Sequence, residues 1–114
     1  MQLYPALVVH GMADARAAMA RGRPITLLSA PGAGLYAGCL WWQSLVEQVR
    51  RAYPDVPMMD VLDCADGSGQ ALAALRIGLK RLVLAPRATE WALLQAIACA
   101  NGGVLLSARP DKLP

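Results

Sequence analysis

The stretch PITLLSAPGAGLYAG, residues 24–38, decides the fold. Its first part, ITLLS, is a short β-branched and leucine-rich run of the length of a buried strand, and Pro31, Gly32 and Gly34 break regular structure directly after it. Helical periodicity restarts at Leu35. A strand, a tight turn and a helix start in that order mark an α/β chain. Glycines in such a turn permit positive φ and bring unpaired N–H groups close to any bound anion. The spacing Gly32, Gly34, Gly38 is one residue longer than a dinucleotide fingerprint, and no Gly-Lys-Ser/Thr follows as a phosphate loop requires. The turn is expected to be a packing device, with Ser29, Gly32 and Gly34 as the residues that would meet an anion.

Outward from this stretch the same alternation repeats. Apolar runs predict strands over 6–9, 25–29, 58–62, 82–85 and 104–107, and apolar residues at three- and four-residue intervals predict helices over 12–21, 35–53, 68–79 and 90–100. The second helix carries the longest stripe: Leu35, Cys39, Trp42, Val46, Val49 and Tyr53. Asp66 and Thr89 are expected to cap the third and fourth helices, and Asn101, Gly102 and Gly103 to end the last one. Five strands alternating with four helices give one α/β domain over residues 1–114, three-layered and Rossmann-like or flavodoxin-like, around a mostly parallel sheet. The sequence leaves the strand order open. In a 3-2-1-4-5 order right-handed crossovers cover both faces, whereas a 2-1-3-4-5 order leaves one face guarded by a single helix. All helices on one side, as in half of a β/α barrel, would leave a whole face for a partner.

Hydrophobic residues make up 56% of the 114 positions and charged residues only 17%, which excludes disorder and leaves apolar surface for another chain. A homodimer is expected, formed through a Trp41/Leu45 face of the second helix or through an uncovered sheet face. The net charge is +3, but the eleven lysines and arginines are scattered and never interleaved with aromatics, so no nucleic-acid footprint is present. Cys39, Cys64 and Cys99 are odd in number and widely spaced, which argues against a disulfide framework or zinc site and for the reducing cytoplasm. Residues 24–46 and 91–108 are uncharged, yet Pro31 and Gly32 interrupt the first run and Asn101 to Gly103 the second, so neither is expected to span a membrane.

The run VLDCADGSGQALAALRIGLKRLVL, from Val61, resembles the βα units of aldolase-type barrels: a strand ends in acids, and the helix after it closes with glycine before a Val/Leu strand. The resemblance is generic and assigns no residue a role. A receiver-domain pattern is not met, because His10 and Gly11 stand where an acidic pair should follow the first strand.

Ligands of open parallel sheets bind outside the carboxyl ends of the strands. The groups delivered there are His10, Ser29 with Gly32 and Gly34, Asp63 with Asp66, Arg87 with Thr89, and Ser107 with Arg109. His10, the single histidine, beside Asp63 would form an acid/base pair, and Arg87 with Arg109 would clamp a phosphate or carboxylate. The expected function is an oligomeric domain binding a small anionic ligand at this edge. A small metabolic enzyme using His10 and Asp63, and a purely structural interaction subunit, are the alternatives. No pattern names a cofactor or a metal.

Overall fold

Residues 2–113 are described by a computed structural model, in which strands and helices alternate from end to end. The order is β1 (Ala6–Val9), α1 (Met12–Met19), β2 (Ile25–Ser29), α2 (Ala33–Tyr36), α3 (Cys39–Ala52), β3 (Met58–Asp63), α4 (Ser68–Arg76), β4 (Arg81–Val83), α5 (Trp91–Ala100) and β5 (Val104–Leu106). The five strands form one all-parallel sheet in sequential order, β1-β2-β3-β4-β5. That order is neither 3-2-1-4-5 nor 2-1-3-4-5. Every crossover moves one strand in the same direction, so right-handed connections place all the helices on one face.

The packing agrees with this topology. One apolar core joins Leu27, Leu62, Leu82 and Leu105 of the sheet to Met19 of α1, Trp42 and Val49 of α3, Leu75 of α4 and Leu94 of α5. The opposite face carries a second, smaller cluster of Ala6, Leu28, Val61 and Val83, to which no helix contributes. These side chains are nevertheless buried. Leu3, Val8 and Leu106 pack against them, the Thr26 hydroxyl donates to Tyr4 O at 2.7 Å, and the segment after β5 passes Asp63 and Ser29, which Arg109 bonds, on its way to Ala6. The layers are thus helices, sheet and a thin cover of terminal chain.

The course of that last segment sets the sheet's shape. Lys112 bridges Ala6 on the outer side of β1, and the Leu113 N–H donates to Ala6 O at 2.8 Å. From β5 to that position is five strand spacings, about 24 Å along the sheet. Six extended residues reach only about 20 Å. The chain can make this crossing only because the sheet curls, with the covered face concave and the helices outside. An expected uncovered sheet face is therefore filled by the chain's own ends.

The expected second helix is broken in two. Gly38 takes φ +88°, which a residue with a Cβ rarely adopts, and divides α2 from α3. The break resets the helical phase, so the predicted stripe holds from Cys39 onward and fails at Leu35. Trp42, Leu45, Val46 and Val49 are buried, whereas Leu35 is 44% exposed.

Candidate functional site

Asp63, the last residue of β3, points to the concave face and is nearly buried. One carboxylate oxygen, Oδ1, accepts the Ala65 N–H at 2.7 Å. The other, Oδ2, accepts from Arg109 Nη1 at 2.6 Å, while Arg109 Nη2 donates to Ser29 O at 2.9 Å. Ser29 closes the group from below, its Oγ accepting the Asp63 N–H at 2.9 Å and donating to Ala30 O at 3.1 Å. Ser29, Asp63 and Arg109, three residues expected at the carboxyl edge, do meet. They meet as a latch whose donors and acceptors satisfy one another and which fastens the terminal segment to β2 and β3.

The glycine turn packs against this latch. A Cβ on Gly34 would stand 2.9 Å from Cys64 Sγ, closer than real Cβ atoms approach, and 3.0 Å from Asp63 O, tighter than nearly all of them. A side chain at 34 would therefore push α2 off β3, and the glycine serves this close approach. Gly32 takes the left-handed φ of +69° at the head of α2, with Ala65 Cβ as the nearest neighbour of its missing side chain. Cys64, fully buried beneath, has its thiol pushed up to about 12, by burial first, then by the charge of Asp63 and by Cys39. A thiol so placed is no nucleophile.

His10 is not brought to Asp63. It stands exposed at the head of α1, where its backbone N–H donates to Asp14 Oδ2 at 2.9 Å and its Nδ1 lies 3.2 Å from the same oxygen. The His10 N–H, then the ring, hold the Asp14 carboxyl below its ordinary value. Arg87 pairs with Asp66, Nε to Oδ2 at 3.3 Å, in an exposed contact, so the two arginines engage different carboxylates instead of one shared anion. Nor do Asp66 and Thr89 cap helices. Gly67 and Glu90 hold those positions without side-chain caps, and the Thr89 hydroxyl instead lies 3.3 Å from Ser68 Oγ, whose proton goes to Thr89 O.

The chemistry open to this edge is accordingly narrow. Asp14, Asp63 and Asp66 each have a histidine or arginine partner within the chain. Among the described residues no group of three or more histidine, cysteine or acidic side chains could hold a metal ion. No helix among them is long and apolar enough to cross a membrane.

A different surface is conspicuous beside this edge. Leu35, Tyr36 and Leu40, at the α2–α3 corner, are 44%, 71% and 67% exposed, and Leu93 of α5 is 55% exposed. Leu35 reaches Gly67, and the start of α4 leads from there into an apolar groove of about 190 Å³ lined by Leu72, Leu93 and Ile97. Leu45 of the expected Trp41/Leu45 face is 4% exposed and belongs to the core, with Trp41 packed half-buried beside it. Periodicity sets Tyr36 and Leu40 off the stripe with Trp41 and Leu45 but centres the exposed apolar surface on the latter pair because it assumes an unbroken helix, and Gly38 is the signal that moves it to Leu40. The i,i+4 spacing of His10 and Asp14 was likewise legible. No local pattern could join Asp63 to Arg109, 46 residues away. No family model matches the chain, and no curated protein is similar to it.

Proposed function

We propose that this protein is a non-catalytic interaction domain that pairs with a second copy of itself through the apolar corner formed by Leu35, Tyr36 and Leu40. The observation that carries this reading is the exposure of three large apolar side chains within six residues. Scattered single hydrophobes are ordinary on a protein surface, whereas a contiguous group marks a contact site. The surrounding sequence favours a second copy. Residues 24–46 carry no charge, so two copies can meet about a twofold axis without like-charge repulsion, and nothing in the patch selects a charged partner. Tyr36 supplies the aromatic anchor that interface centres favour. The carboxyl edge supports binding over catalysis, because its candidate acid and base are each engaged elsewhere in the chain. Three free cysteines fit a reducing cytoplasm as the place of action.

Sedimentation equilibrium tests the proposal. The expected mass is twice the 12.1 kDa of the chain, and Leu40→Glu combined with Tyr36→Lys should return it to the single-chain value. Because both side chains are exposed, the variant's circular dichroism should be that of the parent. A parent that stays monomeric at high micromolar concentration would overturn the reading.

A further inference from the structure

A cavity of about 340 Å³ opens at the amino ends of β1 and β2, at the opposite edge of the sheet from the Asp63 latch. Its apolar walls are Pro5, Pro24, Ile25 and Leu113, and Arg21 and Arg23 complete the lining. The volume lies at the lower end of the range of ligand sites, about 300 to 1,000 Å³, and exceeds the groove between α4 and α5. Walls of this kind with two cations at the margin are complementary to one class of molecule, an anionic headgroup on a short apolar body. Like Arg16, Arg51, Arg76 and Arg81, neither arginine has a carboxylate within 4.0 Å among the described residues, which leaves both guanidinium groups open to a ligand.

We propose that this cavity binds a monocarboxylate with an aliphatic or aromatic tail, the carboxylate between Arg21 and Arg23 and the tail against Ile25, Pro24 and Leu113. Guanidinium groups suit carboxylates and phosphates alike through paired N–H donors. The single charge is selected by the neighbouring helix. Arg21 and Gly22 donate back to the carbonyls of Ala18 and Met19, so the cavity borders the carbonyl end of α1, whose partial negative charge disfavours a dianion more than a monoanion. Apolar burial supplies the remainder of the affinity, which a bare anion lacks.

The site is independent of the Leu40 corner, and its test leaves that surface untouched. Amide correlation spectra of the intact protein are followed during titration with octanoate, octanol, octyl phosphate and acetate. Octanoate should give saturable shifts centred on Arg21, Arg23, Ile25 and Leu113, with octanol and octyl phosphate binding more weakly and acetate not at all. An Arg21→Gln, Arg23→Gln double variant, altered only at exposed positions, should keep its spectrum and lose affinity for octanoate roughly tenfold. Octanol binding as well as octanoate, shifts centred on Leu40 or Leu93, a non-saturating response, or an unweakened double variant would each overturn the proposal. Tighter binding of octyl phosphate would overturn the preference for a single charge.

Discussion

At the scale of the residue, burial decides chemistry more firmly than residue type. Cys64 lies at a strand end in an α/β sheet, a place where nucleophiles occur, yet its thiol is raised to about 12 by loss of solvent and by the neighbouring Asp63 charge. At pH 8 its thiolate fraction is on the order of one in ten thousand. Iodoacetamide should therefore label the exposed Cys99 first and leave Cys64 unmodified until the protein unfolds, which peptide mass mapping reads directly. The same shift sets a sign for stability. The folded thiol holds its proton where the unfolded one, near its ordinary value of about 8.5, releases it. The stability this contributes is whole below that value and is lost as pH rises toward about 12. Urea midpoints should fall across that window, and Cys64→Ala should lack this part of the fall.

At the scale of the element, two helical glycines should respond to alanine with opposite signs. Intrinsic propensity favours alanine in a helix by up to about 1 kcal/mol. At Gly69, in α4, an added Cβ meets nothing within 4 Å, so Gly69→Ala should stabilise the protein by roughly 0.5 kcal/mol. At Gly34 the same Cβ would fall 3.2 Å from Cys64 Cα as well as against Sγ and the Asp63 carbonyl, and backbone cannot yield as a flexible side chain does. Gly34→Ala should therefore destabilise by about 1–3 kcal/mol. Denaturant melts of both variants check this pair of signs. A stabilised Gly34→Ala would mean that α2 does not press on β3.

At the scale of the whole molecule, the terminal segment replaces a second helical layer. With every helix on the convex side, the concave cluster of Leu28, Val61 and Val83 is covered by Leu3, Val8 and Leu106, and Arg109 fastens the terminal segment to β2 and β3 beside it. Arg109→Ala would leave the Asp63 carboxylate buried without its cation, which costs about 3 kcal/mol. The Leu113 amide, bonded to Ala6 O, should exchange its hydrogen faster in the variant than the amides of β2 and β3. Adding Asp63→Asn should recover part of the loss, since the amide oxygen can still accept from Ala65 while the unpaired charge is gone. A cost below half a kilocalorie per mole in melts of Arg109→Ala would reduce the latch to an ordinary surface ion pair.

What depends on near neighbours is readable in the order of residues. The alternation of strands and helices, the parallel sheet, the break at Pro31 and Gly32 and the core identity of Trp42, Val46 and Val49 all follow from periodicity and turn chemistry within a few residues. Tertiary structure alone decided what depends on distant pairs. The sequential strand order put the helices on one side, the curl of the sheet let six residues cross it, and that crossing carried Arg109 to Asp63. Local pattern records which residues prefer which backbone. Which distant charge finds which is fixed only when the chain closes on itself, because attraction between ions depends on separation in space and, beyond one helical turn, carries no trace in spacing along the chain.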